Sequence, residues 1–188
     1  TGLDMRLQLF PDRAHADSDI DQTRITQPAL FLLEYSLARM LESMGITAGI
    51  VLGHSIGEFV AATMAGIFTY DDALYVVAKR GEAMQSMPQG SMLMVNCGED
   101  QAQSYVSADI CLAAVNAPEF SVLSGPDEKM EQLAAELDLQ GVRTKRLRTS
   151  HAFHSSMMDP AVEAMMPVLA GIKLSVPQRT VISTVTGK

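Results

Sequence analysis

The stretch Gly49-Ile50-Val51-Leu52-Gly53-His54-Ser55-Ile56-Gly57-Glu58-Phe59-Val60-Ala61-Ala62 carries most of what this chain reveals. Its first four residues are apolar without alternation, as in a short parallel strand buried on both faces. Gly53-His54-Ser55-Ile56-Gly57 then matches G-x-S-x-G, and residues 57–67 read as a helix. A strand that turns sharply into a helix needs small residues on either side of the turn. The turn lifts the central serine hydroxyl out at the helix N-terminus. There the helix dipole and free backbone N–H groups stabilise a developing oxyanion, with the Ile56 N–H as first donor. A glycine turn holding an incidental serine would carry the same letters; the strand before it and the helix after it favour a nucleophile.

Before this stretch, residues 12–21 are polar and acidic, a loop. Thr26-Gln27-Pro28 then opens a helix, with Thr26 as cap and Pro28 at the first helical position. Phe31, Tyr35, Ala38 and Leu41 share one face of that helix, and Gly45 stops it. After it, Asp71-Asp72 start a helix that runs to about Met87, and Pro88-Gln89-Gly90 break the chain. A different rhythm follows: a strand at 91–97, a short helix at 99–107, strands at 110–116 and 120–124, an amphipathic helix at 127–139 and a strand at 142–149. This β-α-β-β-α-β order is the ferredoxin-like signature. A helix at 160–170 and a strand at 180–185 complete the pattern. The expected fold is α/β: an α/β-hydrolase-like main lobe from residues 1–89 and 149–188, with a ferredoxin-like lobe of residues 90–148 inserted.

The 188 residues suffice for one domain with a sizeable core or for one carrying a smaller inserted lobe. Hydrophobic residues make up 47% and charged ones 19%, which excludes a disordered chain. A net charge of −8 argues against nucleic acid or an anionic membrane as partner. No apolar run reaches the roughly 18 residues of a membrane span. Residues 1–10 lack a signal-peptide pattern. The chain does not begin with Met and opens and closes in patterned sequence, which suggests a piece of something longer. Cys97 and Cys111 read as free thiols in a reducing cytoplasm. His15, His54, His151 and His154 have no ligand-spaced acidic or thiol cluster beside them, so no metal is expected.

Serine at its free pKa is a poor nucleophile and needs a base. His54 adjoins it, but neighbours on a tight turn usually point apart; His151 and His154 remain, and spacing does not choose between them. In the 71–87 helix, Leu74, Val77, Ala78, Gly81 and Met84 form the apolar stripe, with Arg80 at its edge. Such an arginine either snorkels to water or holds a carboxylate in its planar fork. Arg143, Lys145, Arg146 and Arg148 form a basic run in an otherwise acidic chain. It is either a charged edge strand that resists aggregation or a docking face for an acidic partner.

Gly53-His54-Ser55-Ile56-Gly57-Glu58 with Phe59-Val60-Ala61-Ala62 resembles the active-site motif of malonyl-CoA:acyl carrier protein transacylases and polyketide synthase acyltransferase domains. The likeness continues in Thr26-Gln27-Pro28-Ala29-Leu30, Arg80-Gly81 with Met84-Gln85, Ala114-Val115-Asn116-Ala117-Pro118, Leu123-Ser124-Gly125-Pro126, His151-Ala152-Phe153-His154-Ser155 and Val185-Thr186-Gly187. It implies that Ser55 is the nucleophile and His154, the second histidine of H-A-F-H, its base. That base would be oriented by a backbone carbonyl, so no acidic triad member is assigned and Asp159 is a cap or surface residue. The resemblance also implies that Arg80 binds the malonyl carboxylate and that Gln27 helps shape the acyl pocket. His54 is counted with the substrate-binding residues. Phe153 marks malonyl rather than methylmalonyl use, since Y-A-S-H accompanies the latter. A methyl branch in an apolar pocket is worth about 1–3 kcal/mol, so such a preference need not be absolute.

The chain departs from the family in having Thr184 where S-N-x-T-G has Asn, in lacking a G-Q-G-S-Q segment before Gln27, and in lacking the segments that follow the final T-G. The function implied is malonyl transfer from malonyl-CoA to the phosphopantetheine thiol of an acyl carrier protein within a polyketide synthase. Neighbouring synthase domains are expected partners, and no cofactor is needed. The alternatives are a free-standing transacylase of fatty acid synthesis, a serine hydrolase such as a thioesterase, and an inactive truncated module. A thioesterase would have no need of Arg80 and would normally carry an acidic triad residue.

Overall fold

In the computed structural model, which describes residues 4–10 and 19–188, the chain divides into two units. One comprises Thr1–Ala83 and Ala164–Lys188, the other Met84–Glu163. Most of the loop expected at 12–21, and His15 within it, lie outside the described residues.

The first unit opens with α1 (Met5–Leu9) and α2 (Thr23–Ser43), followed by β1 (Ile50–Leu52), α3 (Gly57–Met64) and most of α4 (Tyr70–Gln85). Helix α2 starts at Thr23, earlier than its sequence suggests, and Pro28 lies inside it. The reason is tertiary: Thr23 and Ile25 are buried, so the helix is drawn back to cover them. Thr26 is therefore no cap; its hydroxyl donates to the Gln22 carbonyl at 3.0 Å. Phe31, Ile56, Val60, Ala73 and Val77 make the core of this unit, with Tyr35 stacked on Phe31 and tilted against Tyr70. Helix α3 ends before residue 67 because Gly66 adopts a left-handed φ of 82°.

The second unit contains β2 (Ser91–Val95), α5 (Glu99–Gln103), β3 (Cys111–Ala117), β4 (Phe120–Gly125), α6 (Asp127–Leu139) and β5 (Thr144–Arg146). Its sheet has the order β3-β4-β2-β5 with all neighbours antiparallel. Alternate residues Leu93 and Val95 of β2 pack with Leu123 of β4 against Met130, Leu133 and Leu137 of α6. Strand β5 is an edge and shorter than the 142–149 run that the sequence suggests. Thr144, Lys145 and Arg146 form the ladder with β2, and beyond them the Leu147 N–H reaches the Met92 carbonyl at 2.9 Å.

Helix α7 (Asp159–Ala170) leads back into the first unit, where β6 (Thr180–Ile182) pairs in parallel with β1, Leu52 opposite Ile182. The parallel strand expected at 49–52 is thus present, but it is not buried on both faces. Ile50 and Leu52 are 61% and 65% exposed, because no described residue packs on that side of them.

Candidate active site

Ser55 and His154 are the only described residues other than glycine with a positive φ, 52° and 59° respectively. A left-handed conformation costs an L-residue roughly 1–2 kcal/mol and persists only where the surroundings impose it, commonly at working sites. At Ser55 the imposing feature is the elbow. A Cβ on Gly53 would lie 2.0 Å from the Gly57 carbonyl carbon and 2.3 Å from the Glu58 nitrogen, so the turn closes only with glycine there. The N–H groups of Gly57, Glu58 and Phe59 close onto the carbonyls of His54, Ser55 and Ile56 at 3.0–3.1 Å. No carbonyl of the described residues takes the Ile56 N–H, which leaves it as a donor at the start of α3. Ser55, Ile56 and the exposed His54 line an open cleft of about 770 Å³, with Leu30, Glu34 and Met64 across from them. Burial pushes the Glu34 carboxyl above its usual range.

His154 lies in the second unit, in a turn fixed by Ser155. The Ser155 hydroxyl donates to the Ala152 carbonyl at 2.6 Å and accepts the Met157 N–H at 3.3 Å. Here the structure separates two histidines that spacing left equivalent. His151 is buried, with Nδ1 2.7 Å from the Ser150 hydroxyl and Nε2 3.1 Å from the Met87 carbonyl. A carbonyl accepts only, so Nε2 carries the proton and Nδ1 accepts from Ser150. Both nitrogens are committed, which is the state of a structural histidine. His154 is exposed, and the Phe153 ring between them stacks on His151, centroids 5.9 Å apart. Asp159 is exposed; it is the first residue of α7 and closes the 3-10 turn Ser156–Met158 before it.

Arg80 sits deeper than its sequence suggests. Ala73, Val76, Val77, Gly81 and Met84 are the buried positions of α4, and Arg80 falls in the middle of that stripe rather than at its edge. Leu74 and Ala78 are only half-buried. Gly81 explains the placement. Its Cβ would lie 3.0 Å from the Arg24 Cα and 3.1 Å from the Thr23 carbonyl, so α4 approaches the start of α2 backbone to backbone. That approach brings Arg80 Nη1 within 2.5 Å of Gln27 Oε1, which accepts its hydrogen bond. The guanidinium also lies 5.8 Å above the Phe59 ring, a contact that the sequence does not reveal. Desolvation lowers the Arg80 pKa from the ordinary arginine value. Among the described residues it has no acidic partner.

The basic run on β5 is partly spent within the chain. Arg146 pairs with Asp127 at 2.5 Å and Glu131 at 3.2 Å, both on α6. Arg143, Lys145 and Arg148 are exposed. Among the described residues no group of His, Cys, Asp and Glu could hold a metal, and no helix is long and apolar enough to cross a membrane.

Residues 13–188 match the family model for the acyl transferase domain. The chain is 41% identical over 176 residues to the polyketide synthase GfsA of Streptomyces halstedii, covering 92% of this chain and 2% of that protein. The acyltransferase domain from the second module of the salinomycin polyketide synthase superposes with a TM-score of 0.92. It is 40% identical, over all of this chain and 45% of that one. Malonyl CoA-acyl carrier protein transacylase of Burkholderia pseudomallei gives a TM-score of 0.88 at 33% identity, over 98% of this chain and 65% of the other. The chain thus spans less than two thirds of each of these relatives. An elbow with an obligatory glycine, two left-handed polar residues and this set of relatives converge on one assignment: the chain belongs to the acyl transferase domain family.

Proposed function

We propose that this chain transfers malonyl from malonyl-CoA to the phosphopantetheine thiol of an acyl carrier protein, as part of a polyketide synthase. Arg80 carries the malonyl part of this reading. An unpaired guanidinium away from water is costly unless something answers its charge. Here the fork is held by Gln27 and Phe59, with no carboxylate of the described residues beside it. A ligand carboxylate supplies the missing charge bidentately. The polyketide synthase context is supported by the similarity to GfsA and to the salinomycin domain.

Transfer proceeds in two balanced halves. The Ser55 oxygen attacks the thioester carbonyl carbon while His154 accepts the hydroxyl proton. The Ile56 N–H stabilises the oxyanion, the C–S bond breaks, and coenzyme A leaves as the thiol with that proton. Malonyl-Ser55 then waits with its carboxylate on Arg80. The carrier thiol gives its proton to His154 and attacks the ester, and the Ser55 oxygen leaves and recovers the proton. No electrons are exchanged with an oxidant or reductant.

The test is intact-mass spectrometry of the full-length protein with malonyl-CoA, followed by addition of holo carrier protein. A malonyl adduct on Ser55 that the carrier removes is the expected result. An adduct of equal yield in Ser55→Ala would overturn the assignment.

A further inference from the structure

Glu58 is the second residue of α3, and its two ends hold two different things. Its N–H donates to the Ser55 carbonyl at 3.1 Å, closing the elbow. Its Oε1 accepts from the Thr184 N–H at 2.9 Å and from the Thr184 hydroxyl at 2.6 Å, 126 positions along the chain. Thr184 lies just past β6, whose parallel register with β1 sets Ile182 opposite Leu52. The elbow and the 183–187 loop therefore leave the same ends of paired strands. That loop is closed on itself, with the Gly187 N–H on the Ser183 carbonyl at 2.8 Å and the Ser183 N–H on the Lys188 carbonyl at 2.9 Å.

We propose that Glu58 is a positioning residue that holds the Ser55 elbow in its reactive conformation by anchoring the first turn of α3 to the loop after β6 through Thr184. The left-handed backbone at Ser55 is a strained state that its surroundings must impose. The β1–β6 ladder fixes the strand entering the turn, and the carboxylate fixes the helix leaving it. Two hydrogen bonds converge on one oxygen, an arrangement that restrains the rotation as well as the position of the turn. The same contact accounts for Thr184, whose hydroxyl is a donor on a short side chain, as an asparagine amide would also be. The anchoring needs an acceptor at 58 rather than a charge, and this separates it from a general electrostatic effect.

The proposal rests on Ser55 being acylated, so its test has two readouts in the full-length protein. The first is the rate of Ser55 acylation by malonyl-CoA, followed by intact mass. The second, which needs no chemistry, is hydrogen exchange in segments 53–60 and 183–188. Glu58→Ala is expected to acylate about ten- to a hundredfold more slowly, the scale of a small misplacement of a reacting atom, with faster exchange in both segments. Glu58→Gln keeps the acceptor and is expected within about threefold of the parent, with exchange unchanged. Thr184→Val, which removes one of the two donors and serves if Glu58→Ala fails to fold, is expected between these, and Thr184→Asn near the parent. Acylation of Glu58→Ala or Thr184→Val at the parent rate overturns the proposal, as does a Gln variant no better than Ala. If the parent is not acylated at Ser55, the functional reading fails. The exchange comparison then still decides whether Glu58 holds the elbow.

Discussion

Arg80 Nη1 donates to Gln27 Oε1 over 2.5 Å, across 53 positions of sequence, and this bond turns a half-buried cation into an aimed one. With one nitrogen held by Gln27 and the face of the group over Phe59, the rest of the fork is free to meet a ligand. Hydrogen bonds to charged groups contribute roughly 1.5–3 kcal/mol, so Arg80→Ala is expected to lower malonyl over acetyl loading by about one to two decades. Competition between the two coenzyme A esters, read by intact mass, checks this. Equal losses for both esters would make Arg80 a structural residue only.

Gly81 sets the distance that makes this contact possible. A methyl group there would meet the Arg24 Cα at 3.0 Å and the Thr23 carbonyl at 3.1 Å, both backbone atoms that cannot swing aside. Gly81→Ala should therefore move α4 off α2 and weaken the hold of Gln27 on Arg80. The expected outcome is a lower melting temperature together with reduced malonyl preference. A variant that melts lower but keeps its preference would show that the approach of the two helices serves packing alone.

The elbow was legible in the sequence because three signals coincide within fourteen residues: an apolar run, glycines spaced around a serine, and an apolar helix start. The β-α-β-β-α-β order was legible for a similar reason, since helix and strand periods alternate cleanly between Ser91 and Arg146. What escaped was set by distant contacts. The helical wheel weights Leu74 and Ala78 by hydropathy, whereas the buried positions of α4 are Ala73, Val76, Val77, Gly81 and Met84, which flank the half-buried Arg80 on both sides. The early start of α2 depends on burial of Thr23 and Ile25, which no local rule encodes. The partners of His151 include a carbonyl 64 positions away, and those of Glu58 lie 126 away.

His151 and His154 should separate cleanly in the laboratory. His151 bridges the exposed Ser150 and the Met87 carbonyl from a buried position, so His151→Ala leaves a cavity and takes the partner from the half-buried Met87 carbonyl. Unmet buried polar groups cost about 1–3 kcal/mol each, and the expected effect is on stability. His154→Ala removes an exposed ring and should leave the melting temperature nearly unchanged, while Ser55 acylation falls by about 10²–10⁴, the usual range for a general base. Denaturation curves and adduct kinetics on the same samples distinguish the two. The opposite pattern, a stable but unreactive His151→Ala, would exchange their roles.

An acid-sensitive tie holds the segment before β6 to α2. Arg179 Nη2 lies 2.5 Å from Glu42 Oε1, and Arg39 pairs with the other oxygen of the same carboxylate. Contact with Arg179, together with the charges of both arginines, holds the Glu42 carboxyl below its ordinary value of 4.5. A carboxyl whose pKa is depressed by folding contributes stability while it is ionised, at pH above its unfolded value. That contribution is lost as pH falls through the lower, folded value. Arg179→Met, which keeps an unbranched apolar stem without the charge, should therefore be less stable than the parent at pH 7. The gap should narrow once Glu42 is protonated in both proteins, because the parent then loses the attraction that the variant never had. Urea denaturation of parent and variant at neutral pH and at a series of pH values below the ordinary glutamate range measures how the gap changes. A difference that stays constant over this range would mean that Arg179 acts through the packing of its stem, and that the ion pair contributes nothing measurable.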